Sequence, residues 1–425
     1  MKKRRRARAE GKRLDERRPT RKAEAVAEVE LLIERVLPGG AGLAHADGRT
    51  FLVALAAPGD RVRVVVERAS GSMAFASITE IISPSPARIT PPCPYFGRCG
   101  GCDFQQLNYA AQLEAKQEII SDCLRRLARV NLPAREIPIN GSPREWQYRS
   151  RAQWQYDARR QHLGYFERAS HRVCDVAACP VLAPALQETF ATLRQQMRDE
   201  TLPANVTEYQ AVAGDDGAAL TPATEEKRAR EVSRTIGEHR YRFNAEGFFQ
   251  INHELLPSLV AAATDDAHGA SAIDLYCGVG LFTLPLARRF ARVTGVEANP
   301  SALAYAARNL SDAQLDNATF ECARVGEYLY NHAAELAPVD FVLLDPPRAG
   351  AEPEAIAGLL ALRPQRITYV SCDPATLARD LKELMAGGFQ LESIAAFDLF
   401  PQTHHVETVV KLKRDSHAQL DAATA

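Results

Sequence analysis

No run of 18 or more apolar residues occurs in this 425-residue chain, so a membrane-spanning helix is not expected. No apolar stretch follows the basic amino terminus, so the pattern of a secretory leader is missing and the cytoplasm is the expected compartment. Neither sign of charge is in excess. The 52 Lys and Arg against 53 Asp and Glu leave a net charge of −1, which by itself points to no charged partner. No internal repeat stands out. The nine cysteines are odd in number and unevenly spaced, which disfavours a disulfide framework and favours metal ligation or catalysis.

What is present is ordinary in bulk and uneven in detail. A hydrophobic content of 46% and a charged content of 25% suit a globular protein. The length exceeds what one compact core organises and predicts two or three domains. Residues 1–22 (MKKRRRARAEGKRLDERRPTRK) are dominated by Lys and Arg with almost no large apolar groups. Such a segment predicts a disordered tail that attracts phosphates without regard to sequence, or serves only solubility.

Residues 27–82 predict a small β-barrel of oligonucleotide-binding type. Four apolar, β-branched segments are separated by turn clusters at Pro38-Gly39-Gly40, Asp47-Gly48, Pro58-Gly59 and Ser70-Gly71-Ser72. The proline-rich stretch 83–92 reads as a linker and 107–130 as a long amphipathic helix. Between 144 and 245 the pattern is mixed strand and loop, with 213–231 read as an exposed loop. From 271 onward strands and helices alternate, which predicts a parallel, doubly wound α/β sheet.

Three turns after predicted strands carry chemistry. Asp274-Leu275-Tyr276-Cys277-Gly278-Val279-Gly280 ends a strand and opens a helix, its glycines permitting a tight turn and close approach of a ligand. Glu297 closes the next strand, where an acid grips ribose hydroxyls. Position 283 is Thr, so the third glycine of a dinucleotide fingerprint is absent; an adenosyl ligand without pyrophosphate suits the shorter loop. Asp345-Pro346-Pro347-Arg348 fixes a carboxylate, and Ser371-Cys372-Asp373-Pro374 places Cys372 at a helix start, where the macrodipole favours thiolate. Glu407, in His404-His405-Val406-Glu407, alone reads as a surface residue, but beside a thiolate it is a candidate base. The two histidines read as strand neighbours facing opposite ways, which is poor geometry for one metal ion. A thiolate, a carboxylate and a sulfonium pocket form the set needed for covalent methylation at carbon 5 of uracil.

A second cluster, Cys93, Cys99 and Cys102 around Gly100-Gly101, predicts a metal centre of zinc or iron–sulfur type. Cys179, followed by Pro180, is the preferred fourth ligand, with Cys174 and then Cys123 as competitors.

From about residue 27 to 413, apart from 185–240, the chain resembles the RNA uracil-5-methyltransferases, in the branch with an amino-terminal TRAM domain and a 4Fe-4S cluster. The resemblance rests on GGAGLAHADGRTFLV, CPYFGRCGGCDFQQLNYAAQLEAK, GFFQINHE, DLYCGVGLFTLPLA, LLDPPRAG, YVSCDPATLARDL and DLFPQTHHVETVVKL. It implies Cys372 as nucleophile, Glu407 as base, and Gln250, Tyr276, Glu297 and Asp345 with the glycine loop as the S-adenosylmethionine site. It implies Phe248 against the target base and Cys93, Cys99, Cys102 and Cys179 on a 4Fe-4S cluster. Leu281 and Arg324 depart from the polar residues that other members carry near the cofactor. Arg149 and Arg151 resemble a basic motif of the central domain, where RNA contact and a solvated charge pair are both open.

The implied layout is a tail at 1–22, a TRAM barrel at 23–84, a central mixed α/β cluster domain at 85–245 and a Rossmann-like methyltransferase domain at 246–425. Ribosomal RNA is the expected substrate ahead of transfer RNA, and the enzyme is expected to be a monomer. A cytosine-5-methyltransferase and a non-catalytic RNA-binding factor are the rivals. SCDPATLARD argues against the first, and the intact Cys372, Glu407 and Asp345 against the second.

Overall fold

The computed structural model describes residues 28–224, 231–336 and 338–415. The basic segment 1–22 and residues 225–230 of the expected 213–231 loop lie outside the described residues. No described helix is long and apolar enough to cross a membrane.

Six strands come first: β1 (Glu28–Leu32), β2 (Arg35–Val36), β3 (Gly42–Ala46), β4 (Arg49–Val53), β5 (Arg61–Ser70) and β6 (Met73–Ser83), in the order β1-β5-β6-β4-β3-β2. β1 and β2 are two halves of one bent segment. The first pairs with β5 and the second with β3, and the Glu34 amide at the bend donates to Leu43 O at 2.8 Å. The sheet therefore closes on itself around Leu31, Phe51, Val53, Val62 and Val64. The stretch after it has no strand or helix, yet it is no loose linker. Arg88 grips the buried Asp60 of the barrel through Nε, at 2.9 and 3.0 Å, and through Nη2 at 2.6 Å.

Helix α1 (Tyr109–Cys123) starts on Asn108, whose side chain accepts from the Ala111 amide at 2.9 Å. It ends in a widened turn, Leu124–Ala128, closed by Arg129 at φ +60°. After β7 (Ile139–Asn140) come β8 (Arg151–Asp157), β9 (His162–Phe166), β10 (Val173–Asp175), α2 (Pro184–Arg198), β11 (Glu208–Gly214) and β12 (Gly217–Thr221). A five-stranded antiparallel sheet β10-β9-β8-β11-β12 packs against α2, with Trp154 and Phe190 at 4.9 Å. The sequence pattern did not predict α2. Its buried positions Leu186, Phe190, Leu193 and Met197 recur at helical spacing, with Pro184 in the first turn. β12 also corrects the expected loop at 213–231, since residues 208–221 form a hairpin.

A second hairpin, β13 (Val232–Ile236) and β14 (His239–Phe243), precedes the large sheet. That sheet is built from α3 (Leu256–Thr264), β15 (Gly269–Leu275), α4 (Thr283–Ala287), β16 (Phe290–Glu297), α5 (Pro300–Asp312), β17 (Ala318–Cys322), α6 (Val325–Leu336) and β18 (Phe341–Leu344). α7 (Pro353–Leu362), β19 (Arg366–Ser371), α8 (Pro374–Ala386), β20 (Phe389–Phe397) and β21 (Glu407–Arg414) complete it. The order is β17-β16-β15-β18-β19-β21-β20-β7, with β21 antiparallel to both of its neighbours. Alternate residues face opposite layers, as the period of two requires: Ile273, Leu275, Val342 and Leu344 one way, Ala272, Phe341 and Leu343 the other. α4 spans only five of the ten residues expected at 281–290, and β16 already begins at Phe290.

Packing and strand pairing run across the expected boundary at 245/246. Ile120, Cys123 and Leu124 of the α1 segment join the large-sheet core, and β7 adds a parallel strand to its edge beside β20. The β13–β14 hairpin packs its Val232, Tyr241 and Phe243 into the opposite layer.

Candidate active site

In open α/β sheets, ligands bind beyond the carboxyl ends of the strands, where the strand order reverses direction. Here the reversal lies between β15 and β18. Tyr276 stands one residue beyond β15, Glu297 ends β16, Asp345 follows β18, and Cys372 follows β19. Glu407 opens β21, and because β21 runs antiparallel its start lies at the same edge. Ser371 pairs with Thr408, so one further step of the register sets Cys372 beside Glu407. Residues 35 positions apart meet because two neighbouring strands run in opposite directions.

The β15 turn is held in unusual backbone. Tyr276, Gly278 and Gly280 have φ of +62°, +54° and +88°. A Cβ on Gly280 would also lie 3.1 Å from Leu284 Cδ1. Glu297 reaches back to this turn, accepting from the Gly278 amide at 3.2 Å and from the Asn299 amide at 2.8 Å. Gln250 Nε2 donates to Asp345 at 3.4 Å. Burial pushes Asp345 up to about 7 against that hydrogen bond. Asp274, fully buried, accepts from Thr283 Oγ1 at 2.5 Å while its other oxygen has no partner among the described residues. Burial pushes it to about 7 as well.

Glu407 is 1% exposed, and its Oε1 also has no partner among the described residues. Burial and the neighbouring Asp345 raise its pKa well above the usual carboxylate range, and Arg348 opposes them. The sequence placed Glu407, taken alone, at the surface; the β19–β21 register puts it inside. Cys372 differs from its expected state too. Asp373 caps α8 through the Ala375 and Thr376 amides, both at 2.9 Å, and Pro374 opens the helix, as the motif predicts. The thiol is nevertheless pushed up to about 12, by burial first and then by Glu407 and Asp345. Burial, with the two carboxyl groups after it, opposes what a helix terminus would favour.

Phe248 is 60% exposed, whereas Phe249 is buried with its ring stacked on Phe243 at 4.1 Å. His404 and His405 precede β21 and lie in a loop, not on a strand. Their rings are 4.1 Å apart, and His404 Nδ1 sits 2.5 Å from Asp103 Oδ2. Leu281 is core, its carbonyl accepting from Tyr241 Oη at 3.1 Å. Arg324 is exposed on the surface.

Cys93, Cys99, Cys102 and Cys179 line one cavity, together with Gln105, Arg149 and Tyr165. Burial pushes Cys99 and Cys102 up to about 12 and raises Cys179 as well. Cys174 stands outside this ring, buried on β10 with Arg98 Nε at 3.2 Å. Cys123 belongs to the core under α1. Among the described residues no three His, Cys, Asp or Glu side chains lie close enough to hold a single metal ion. The thiols surround a space instead of meeting at a point.

The model of the tRNA (uracil-5-)-methyltransferase family matches residues 230–415. A 23S rRNA (uracil(1939)-C(5))-methyltransferase RlmD from Shewanella amazonensis is 34% identical, over 89% of this chain and 94% of that protein. The chain belongs to the RNA uracil-5-methyltransferases. An uncharacterized RNA methyltransferase from Aquifex aeolicus is 31% identical over 91% of this chain and 98% of its own length. Among solved structures, the Pyrococcus abyssi tRNA (uracil-54, C5)-methyltransferase in complex with S-adenosyl-L-homocysteine matches with a TM-score of 0.70. It is 25% identical and covers 90% of this chain and 100% of its own.

Two neighbours of this methyltransferase's active site escaped the sequence, and a third residue, Arg149, lies elsewhere than expected. Arg348 is the cation that opposes the raised pKa of both Cys372 and Glu407. Its place two residues after Asp345-Pro346 was the available signal. Glu352 accepts from Tyr276 Oη, a pairing with no sequence signature. Arg149 was read as an RNA contact or a solvated charge; it lines the cysteine cavity, its Nε bonded to Arg151 O at 2.9 Å.

Proposed function

We propose that this methyltransferase modifies carbon 5 of a uridine in 23S ribosomal RNA by a covalent route. The observation that carries the reading is the pairing of Cys372 with Glu407 across β19 and β21, beside Asp345. The Cys372 thiolate adds to carbon 6 of the uracil, which makes carbon 5 nucleophilic. S-adenosylmethionine supplies the methyl group on a positively charged sulfur. Gln250, Tyr276, Gly278, Gly280, Glu297 and Asp345 would hold it. Carboxyl groups that burial raises, with acidic neighbours around Asp274, fit a site that receives a cationic ligand. Glu407 then takes the carbon-5 proton, the carbon 6–sulfur bond breaks, its electrons return to Cys372, and the ring double bond re-forms. Exposed Phe248 offers a face on which a splayed-out base stacks.

Cys93, Cys99, Cys102 and Cys179 would hold a 4Fe-4S cluster. Four thiols lining one cavity support this reading, and the family resemblance favours the cluster over zinc. The closed six-stranded barrel fits a TRAM domain that faces RNA. In this reading the enzyme acts as a monomer, and its RNA substrate favours the cytoplasm.

Relatives named as 23S ribosomal RNA methyltransferases, at 33 and 34% identity, favour that substrate. The family model and the Pyrococcus structure favour the second reading, transfer RNA. Anaerobically purified enzyme with methyl-labelled S-adenosylmethionine, given separate ribosomal and transfer RNA from a strain lacking the gene, tests both. Label in 5-methyluridine from ribosomal RNA alone supports the first; label from transfer RNA alone replaces it with the second.

A further inference from the structure

Glu407 is delivered to the site by the loop 398–406 that joins β20 to β21, and this loop is held chiefly from outside the large sheet. The amides of Asp103 and Phe104 both donate to Gln402 O, at 3.1 and 3.0 Å. Gln112 Oε1 accepts from the Gln402 amide at 2.8 Å, and its Nε2 meets Gln402 Oε1 at 3.1 Å. Tyr148 Oη donates to Pro401 O at 2.8 Å, and Lys116 Nζ to Phe400 O at 3.1 Å. Gln402 itself sits at φ +68°, a backbone state that a non-glycine residue keeps only when its surroundings enforce it. The last hold before the strand is Asp103. Its Oδ1 accepts from the His404 amide at 2.9 Å and its Oδ2 lies 2.5 Å from His404 Nδ1. The barrel closes over this pair. Gly40, at φ +79°, comes so near that a Cβ there would lie 2.8 Å from Asp103 Oδ2 and 3.3 Å from His404 Nδ1.

We propose that Asp103 is a positioning residue for Glu407: through its double contact with His404 it fixes the start of β21, and thereby the carboxyl group that removes the carbon-5 proton. Asp103 directly follows Cys102, so the strut links the cysteine cavity to the base. The inference rests on the covalent route proposed above. The step it governs is the last one, in which the carbon-5 proton passes to Glu407, the carbon 6–sulfur bond breaks and its electron pair returns to Cys372. Addition of Cys372 and methyl transfer precede it and do not use Glu407 as a base.

The test compares Asp103→Ala, Asp103→Asn and Glu407→Gln as holoenzymes, with equal iron content and equal S-adenosylhomocysteine affinity as controls. Asn keeps the acceptor for the His404 amide and lowers the risk that the Ala variant fails to assemble. Single-turnover methyl transfer in the Asp103 variants should stay within about twofold of the parent. Release of RNA should slow on the order of tenfold to a hundredfold, as a misplacement near 1 Å does. Methylated RNA should then accumulate covalently on Cys372, as in Glu407→Gln, more in Ala than in Asn. Hydrogen exchange at the amides of Gln402 and His404 should rise in the same order. An adduct in Glu407→Gln but none in either Asp103 variant, or transfer and release slowed equally, overturns the positioning role. Absence of an adduct in Glu407→Gln overturns the covalent route and the inference with it.

Discussion

At the methyl-transfer edge, Tyr276, Glu297, Asp345, Cys372 and Glu407 all sit at a strand end or one residue beyond it. At the cysteine cavity the opposite holds. Cys93, Cys99 and Cys102 hang on a stretch with no helix or strand, tied by the isolated bridges Arg88 to Leu107 and Cys99 to Glu167, and Cys179 sits on the loop before α2. In the first region, backbone hydrogen bonds of the sheet fix where the acting atoms lie before any ligand arrives. In the second, turns and side chains do so, and neutral thiols crowd around a cavity that burial makes hostile to charge. A ligand that replaces four protons by metal–sulfur bonds changes the second region far more than the first. The two differ in what they lose when one residue is removed.

The largest effect belongs to the strand-end edge. Cys372→Ala should lower 5-methyluridine formation by about 10⁴-fold or more, since no other group there can supply the covalent step. S-adenosylhomocysteine affinity, read by calorimetry, should barely move. Residual activity within tenfold of the parent would remove the covalent route. The cavity is broken by comparing two cysteines only five positions apart. Cys179→Ser should cost cluster affinity beyond the ~10–100-fold typical of an outer-shell partner, and Cys174→Ser much less. Iron and sulfide content of anaerobically prepared protein reads this directly. Equal loss in both variants would mean that β10, and not the ring of four, governs the site.

The same contrast explains what the sequence made legible. Alternating strands and helices announced the doubly wound sheet, and the strand-end motifs marked Tyr276, Glu297, Asp345 and Cys372, because in such a sheet position along the chain dictates the edge. Glu407 was marked by the resemblance; taken alone it reads as a surface acid, because its burial depends on a long-range register between β19 and β21. Cys93, Cys99 and Cys102 were legible from spacing. Cys179 was preferred over Cys174 from Pro180 and the resemblance, and the fold turns the first into the cavity and the second toward Arg98. α2 was missed although its spacing was regular. The contacts that α1 and β7 make across 245/246 were not legible, because a composition shift does not report packing.

Smaller effects sharpen the strand-end side. Phe248→Ala should weaken RNA binding by about 1–3 kcal/mol, the worth of stacking one base, or on the order of tenfold to a hundredfold. The exposed ring supports no core, so the midpoint of thermal unfolding should shift little. An equal loss of cofactor affinity would place Phe248 in the wrong pocket. Asp345 adds a pH dependence. Its carboxyl group, ordinarily near 3.8, is raised to about 7, so it is protonated below that pH and charged above it. A cationic donor should therefore bind more tightly as pH rises through about 7. A flat profile between pH 6 and 8, measured with S-adenosylmethionine, would mean that Asp345 does not meet the positive charge.

Arg348 gives the finest test of how this edge manages its acids. It is the cation opposing the rise at both Cys372 and Glu407, and it is exposed, so its influence is screened and modest. Arg348→Gln should raise the Cys372 pKa further. Below its pKa the thiolate fraction falls tenfold for each unit of increase, so a shift of a few tenths should slow alkylation of Cys372 by about twofold at a fixed pH. The pH–rate curve for alkylation should move to higher pH by the same amount, with its slope unchanged. High salt should shrink the difference between variant and parent, because screening already removes part of the guanidinium's effect. A variant whose alkylation curve overlays the parent at low salt would show that burial and the two carboxyl groups set the thiol alone. The strand-end edge would then rely wholly on an arriving cation to free its nucleophile.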